Sequence, residues 1–355
     1  MQTTAAQKPL DLRDLAAPFE RMGCTEAVDV ARERFGLSGV ASRFATEKDD
    51  TFLLKAESGR RFILKVGNPG DPRAEVEFQT ALLRHIVDVD PTLPVPWAIP
   101  DIDGNPQGSI VDGAGQSRQV RLLTYLEGTP LDSVSSTAEQ RERIGEVLAR
   151  LRLATAGFSH PAAHRVLAWD VKNLLGLEYL LAEVEDAWQR KQLSKGLQRF
   201  SDLRFRLAGL RAQVLHNDFN KSNIVVDPSS AAFVTGIIDF GDAVHTAIAI
   251  DVSTALLGQL PAITGVLPKQ DPFADGRDLV RGYLRVADLT DEELAMIPHL
   301  VLARVVTRAL LSLQLAKRFP ENSAYLLRNT GQGWAQLDWF IRRSPSEISA
   351  ALSTL

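Results

Sequence analysis

The sequence predicts an α+β chain of two lobes. An antiparallel sheet plus one helix fills the N-terminal lobe, and the larger C-terminal lobe is mainly helical. Three observations carry this. Short β-branched and aromatic runs recur between residues 37 and 66 and again between 99 and 125, parted by turns such as Ser58-Gly59 and Asp103-Gly104-Asn105. From Thr137 onward apolar residues recur at helical spacing. One strand–turn–strand unit, Val214 to Asp242, interrupts that helical half. Residues 1–126 are expected to form the first lobe and 127–355 the second.

The composition is that of an ordinary globular chain. The 355 residues are 45% hydrophobic and 24% charged, with a net charge of −4. Acidic and basic residues are interspersed, so no basic stripe for nucleic acid is present. A single cysteine, Cys24, excludes an internal disulfide and a cysteine-based zinc site, and a packing role is expected for it. The start of the chain has no apolar stretch of signal-peptide length, and no run of ~18 apolar residues occurs. A cytoplasmic protein without a membrane partner is the expectation. Oligomeric state is open.

Residues 1–17 read as a tail or docking arm. Pro18 to Phe35 reads as a helix. Three strands follow at Val40–Phe44, Thr51–Glu57 and Arg61–Val66, the first two joined by the glycine-free turn Glu47-Lys48-Asp49-Asp50. Asp71 to Val87 is a helix with Pro72 near its start and carboxylates in its early turns. Ile99–Ile102, Gly108–Val111 and Gln116–Tyr125 are further strands, the last running into Glu127-Gly128-Thr129-Pro130. Helices are expected at Thr137–Ala156, Leu174–Gln192, Leu197–Gln213, from about Ala247, and at Phe273–Val286, Asp291–Arg318 and Ser323–Ile341. In Asp291–Arg318, acids at the start and basic residues at the end complement the helix dipole. Leu302, Val305, Val306, Ala309, Leu310 and Leu313 form its core stripe.

The stretch His216-Asn217-Asp218-Phe219-Asn220-Lys221-Ser222-Asn223, followed by Asp239-Phe240-Gly241-Asp242, has a chemical reading. Phosphoryl transfer needs a carboxylate to orient the attacking hydroxyl. An amide and a second carboxylate must also hold Mg²⁺ against nucleotide phosphates. Asp218 and Asn223 have the spacing H-x-D-x-x-x-x-N, and Asp239 stands where the metal carboxylate belongs. Lys65, a lone cation in an apolar strand, suits the phosphate-binding lysine. Glu75 and Glu77 are both candidates to brace it, and periodicity does not choose between them. Asp242 and Asp251 could bind a substrate ammonium, though Asp251 suits anchoring the loop equally well. His216 is expected to brace the loop. His245 suits either the substrate mouth or a solvated turn. The other histidines lack metal-ligand spacing. No G-x-x-x-x-G-K-[ST] run occurs.

HNDFNKSN with IIDFGD resembles the catalytic loop and metal motif of the aminoglycoside phosphotransferase/choline kinase-like superfamily, which shares the protein-kinase fold. Asn217 replaces the glycine that most members carry. The first turn and the late segments Glu321–Leu326 and Gly333–Leu337 resemble the hydroxylysine kinase-like branch. The resemblance implies a small-molecule kinase using Mg²⁺ and ATP or GTP, with hydroxylysine or a related hydroxy-amino acid as first acceptor. An aminoglycoside or choline-type alcohol ranks next. It favours Glu77 through an E-x-x-x-x-L-L pattern. It also implies a hinge near 124–128, where backbone groups of Thr124, Tyr125 and Leu126 bind the base. The short connection after Asp242 leaves no room for the activation segment of a protein kinase. A catalytically silent nucleotide-binding protein of the same fold is the alternative.

Overall fold

In the computed structural model, residues 9–10, 12, 18–46, 48–261, 271–320, 323–328 and 330–353 are described. Glu47, most of the 1–17 tail, Glu321 and Asn322 lie outside them. The first lobe is a six-stranded antiparallel sheet. Its order is β1 (Gly39–Arg43), β2 (Asp50–Ala56), β3 (Arg61–Val66), β6 (Ser117–Thr124) and β4 (Ala98–Ile99), with β5 (Gly108–Val111) also on β6. Phe52, Leu54, Phe62, Leu64, Val66, Val120 and Leu122 fill its inner face against α1 (Cys24–Phe35).

The expected first helix begins six residues late. Pro18–Gly23 is extended instead, because its polar groups are drawn to the sheet. Met22 N–H donates to Asp50 Oδ2 at 2.9 Å, and Phe19 lies under the Arg118 guanidinium at 4.7 Å. Asp50 is wholly buried and organises this lobe. Arg118, also buried, donates to Asp50 at 2.9 Å, to the Gly67 carbonyl at 2.7 Å and to the Val66 carbonyl at 3.0 Å. Arg43 binds the other Asp50 oxygen. Cys24 is exposed at the start of α1 rather than packed.

Helix α2 (Arg73–Val89) turns Phe78, Leu82, Leu83 and Ile86 away from the sheet core into the large cluster of the second lobe. There α3 (Ala138–Thr155) starts at a capping box between Thr137 and Gln140. It crosses α6 (Ala274–Leu284) so closely that a Cβ on Gly145 would sit 1.9 Å from the Leu279 carbonyl oxygen. Residues 171–183 form a 3-10 helix, and α4 runs Ala187–Ala208. The break thus falls at 184–186 rather than near 193–196. Asp186 caps α4 by accepting from Gln189 N–H at 2.7 Å, and Gly196 lets the helix lie against Val306.

Two small sheets follow. One is β10 (Val234–Ile237), β9 (Ile224–Val226) and β7 (Thr129–Pro130); the other pairs β8 (Ala212–Leu215) with β11 (Val244–Ala247). Strand β8 takes Ala212 and Gln213, the end of an expected helix, because its partner β11 lies far along the chain, where the turn after Asp242 was read as leading straight into α5 (Ile248–Gln259). Helix α7 (Asp291–Arg318) runs through the core. It is long and apolar enough to cross a membrane by composition, but 83% of its apolar window is buried in the fold. The expected last helix is two, α8 (Ser323–Leu326) and α9 (Thr330–Ile341), followed by α10 (Pro345–Ser349). At the other end, Leu10 and Leu12 pack on the core, and Leu10 N–H donates to the Gly176 carbonyl at 3.0 Å, as a docking arm would.

Replacing Asp50 with alanine strands the Arg118 charge inside the first lobe. Urea unfolding of Asp50→Ala is expected to show a loss of about 3–5 kcal/mol, the range for breaking a buried ion pair. A loss below about 1 kcal/mol would show that water reaches the arginine.

Candidate active site

The loop after β8 makes a left-handed turn at Asn217, whose φ is 62°. Glycine takes this conformation freely, and asparagine is among the residues that tolerate it. Asn217 therefore keeps the backbone that a glycine would give. Its backbone N–H donates to Asp251 Oδ1 at 2.7 Å, which ties the loop to α5, while its own buried side-chain amide has no partner among the described residues. His216 braces the turn from below. Its Nδ1 accepts from Asp218 N–H at 3.2 Å, which leaves Nε2–H to donate to the Ile238 carbonyl at 3.0 Å.

These contacts aim Asp218 at Asn223. The Asn223 amide donates to Asp218 Oδ2 at 2.8 Å and to its backbone carbonyl at 3.0 Å, so the amide oxygen of Asn223 points elsewhere. The other Asp218 oxygen accepts from Arg304 of α7 at 2.8 Å. Burial pushes the Asp218 carboxyl up from its ordinary value, and Arg304 opposes that shift.

Asp239 follows β10 in a second left-handed position, at φ 61°. Its Oδ1 accepts from Lys65 at 3.2 Å and from Gly241 N–H at 3.3 Å. Lys65 holds the carboxyl at about 2, although its side chain is 52% exposed and cleft water screens part of that effect. The donors left over, one Asp239 oxygen and the Asn223 amide oxygen, are hard ligands that could hold Mg²⁺. Two protein ligands suit a site completed by phosphate and water. No cluster of three or more acidic, histidine or cysteine ligands occurs among the described residues.

Lys65 does not meet Glu77. Its second partner is Asp49 of the first turn, at 3.3 Å, and the two aspartates raise its pKa against the effect of burial. Because α2 turns its apolar face to the second lobe, Glu77 is left at the surface, bonded to Arg73 at 2.7 Å. Glu75 pairs with Arg165, which also donates to the carbonyls of Gly241 and, at 2.8 Å, Ala243. In this structure α2 therefore braces the loop after Asp239, not Lys65. Directly across from Lys65 on β6 stands Arg121, buried, bonded to Gln79 of α2 and with one Nη unpaired among the described residues.

The other expectations fall out variously. Thr124 N–H is spent on the Trp97 carbonyl at 3.1 Å, and its hydroxyl accepts from Trp97 N–H. That leaves Tyr125 and Leu126 as the hinge groups that could meet a base. Asp242 is half-buried, makes no side-chain hydrogen bond among the described residues, and is pushed by burial and by Asp218 to about 6. Burial likewise raises Asp251, the loop anchor, to about 6. The His245 ring stacks on His164 at 4.5 Å, and burial lowers its pKa.

Sequence reasoning missed Arg304, Arg165, Arg121 and Asp49. A signal existed for the first. Arg304 and Arg308 are the two cations, one turn apart, in the otherwise apolar middle of α7.

Residues 42–293 match the model of the phosphotransferase enzyme family. The chain is 29% identical over 241 residues to hydroxylysine kinase of Mus musculus, covering 64% of this chain and 62% of that protein. It is 25% identical over 328 residues to hydroxylysine kinase of Danio rerio, covering 88% and 90%. The match to the mouse relative spans less than two thirds of that protein's length. The fold superimposes on an amicoumacin kinase solved in complex with AMP-PNP, Ca²⁺ and Ami, with a TM-score of 0.65 at 18% identity, covering 82% of this chain and 86% of that one.

Asp242 gives a pH test. Its folded pKa of about 6 lies above that of an unfolded aspartate, so the folded protein binds the extra proton between pH 4 and 6. Its contribution to stability is present at low pH and is lost as pH rises through about 6. Asp242→Asn cannot ionise there. Its melting temperature should gain a few degrees over the parent at pH 7 and little at pH 4 by scanning calorimetry. An equal shift at both pH values would show that Asp242 titrates normally.

Proposed function

Since this chain belongs to the phosphotransferase enzyme family, we propose that it transfers the γ-phosphoryl group of ATP or GTP to a hydroxyl of a small amine-bearing metabolite. Hydroxylysine or a related hydroxy-amino acid ranks first among acceptors. The observation that carries this reading is the pair of facing groups Asp218–Asn223 and Asp239–Lys65, which offers every charge that the transfer needs.

In this reading the acceptor hydroxyl takes the place beside Asp218. Asp218 orients it and accepts its proton as the oxygen attacks phosphorus, while the bond from phosphorus to the bridging oxygen of the nucleoside diphosphate breaks. Burial raises Asp218, which suits a proton acceptor, and Arg304 keeps it ionised before the acceptor arrives. Lys65, with Arg121 beside it, moves from carboxylates to phosphate oxygens when nucleotide binds. Asp239 and Asn223 would hold Mg²⁺, which neutralises charge on the transferring phosphoryl group. Catalysis is then mostly positioning and fixed charge. The backbone of Tyr125 and Leu126 receives the base.

The test is coupled nucleotide turnover with ATP and with GTP against 5-hydroxylysine, homoserine, ethanolamine, choline and several aminoglycosides. A hit is expected among the hydroxy-amino acids. Asp218→Asn should lower kcat by about 10²–10⁴-fold with nucleotide affinity little changed. Asp239→Asn should abolish turnover. Nucleotide binding without transfer to any alcohol would instead mark a silent binding protein of this fold, and full activity in Asp218→Asn would remove Asp218 from the chemistry.

A further inference from the structure

Helix α7 carries two arginines on one face, four residues apart, in a stretch that is otherwise apolar: Val301, Leu302, Ala303, Arg304, Val305, Val306, Thr307, Arg308, Ala309 and Leu310. A cation in such a stretch costs free energy unless an anion or several acceptors compensate it. Arg304 has its compensation. It donates to Asp218 at 2.8 Å and to the Trp169 carbonyl, and its side chain is 7% exposed.

Arg308 does not. Its one hydrogen bond among the described residues is to the neutral amide oxygen of Gln336 on α9, at 2.9 Å, and no carboxylate pairs with it. Burial and the like charges of Arg304 and Arg328 push its pKa down to about 10. The protein thus keeps an ionised guanidinium, crowded by other cations, one helical turn of about 5.4 Å beyond the residue that holds Asp218. A group arranged this way is short of an anion, and it stands in the second lobe on α7, the helix that also carries Arg304 to Asp218. Lys65 and Arg121, the cations suited to nucleotide phosphates, stand on the opposite side, on the sheet.

We propose that Arg308 is the carboxylate-binding residue of the acceptor site, so that the acceptor is a hydroxylated amino acid carrying a free carboxylate a few bonds from the hydroxyl it presents to Asp218. This rests on the phosphoryl-transfer reading above and sharpens it, because choline, ethanolamine and aminoglycosides carry no such anion. Planar, bidentate pairing is what a guanidinium offers a carboxylate. Arg304 lies between the two points and stays with Asp218. Asp242, which has no side-chain hydrogen bond among the described residues and feels both Asp218 and Arg304, supplies the opposite charge for the ammonium of the same acceptor.

The experiment compares matched acceptor pairs that differ only in the carboxylate: homoserine against 3-aminopropan-1-ol, and 5-hydroxylysine against its decarboxylated diamine. Each is assayed for phosphoryl transfer and, by calorimetry, for binding. The wild-type protein should prefer the acid of a pair through KM. In Arg308→Gln that preference, as a ratio of kcat/KM values, should fall about 10- to 100-fold, the range for a lost charged hydrogen bond. Arg308→Lys should restore part of it. Nucleotide KM and melting temperature, measured in parallel, separate this from a general loss of structure, which would lower acid and amine alike.

Equal use of acid and amine by the wild-type protein overturns the carboxylate site and leaves the kinase reading standing. An acid preference that survives in Arg308→Gln also overturns it. Binding of the acid that is lost in Arg308→Gln, with no transfer to any acceptor, supports the site while the catalytic reading fails. No binding of either acid overturns it.

Discussion

Negative charge must be gathered at one point in this molecule and kept there. Asp218, Asp239 and Asp242 lie on two adjoining loops and Asp251 on α5 bonds the first of them, and left alone these carboxylates would repel each other and take up protons. Burial chiefly, with the Asp218 charge added to it, raises Asp242 and Asp251 to about 6. Asp239 escapes it through Lys65, and Asp218 is partly relieved by Arg304. The compensating cations come from three places: β3 of the sheet, the segment before the 3-10 helix through Arg165, and α7. Removing any one of these elements would leave a charge uncompensated. The two lobes are therefore tied at the site itself, with the bond between Lys65 and Asp239 crossing from one to the other.

The same logic explains what α2 does. Its apolar face is spent on the second lobe, so its early carboxylates cannot reach the sheet lysine. Glu75 instead holds Arg165, whose other donors clamp the two carbonyls that follow Asp239. One guanidinium thus joins α2 to the loop after Asp239. The first turn plays a matching part. Lacking glycine, it offers Asp49 to Lys65 in place of a close backbone approach to phosphate.

Arginine is used throughout as an internal strut. Arg118 satisfies Asp50 and two carbonyls at the heart of the sheet, and Arg199 donates to the carbonyls of Phe340, Ile341 and Arg343 at the end of α9. A planar fork with several donors can close several open carbonyls at once, which a lysine cannot. Against that pattern, Arg308 meets only the neutral Gln336 amide, and one Arg121 nitrogen has no partner among the described residues.

The local chemistry was legible in the sequence because it depends on short spacings. The order His216, Asp218, Asn223, Asp239 marked the loop that brings Asp218 onto Asn223 and the carboxylate that meets Lys65. Alternation and turn residues determined β1 to β3 and β6, and helical periodicity with end charges determined α7 to the residue. The tertiary structure decided whatever depends on partners distant in the chain. Strand β8 exists because β11 pairs with it, and neither is readable alone. The start of α1 is set by Asp50, which no helix pattern contains. Glu77 lost Lys65 because helix periodicity fixes a face but not the body that the face packs against. Arg304, hidden in an apolar helix, reaches Asp218 across 86 residues of sequence, a distance over which only the fold brings two charges together.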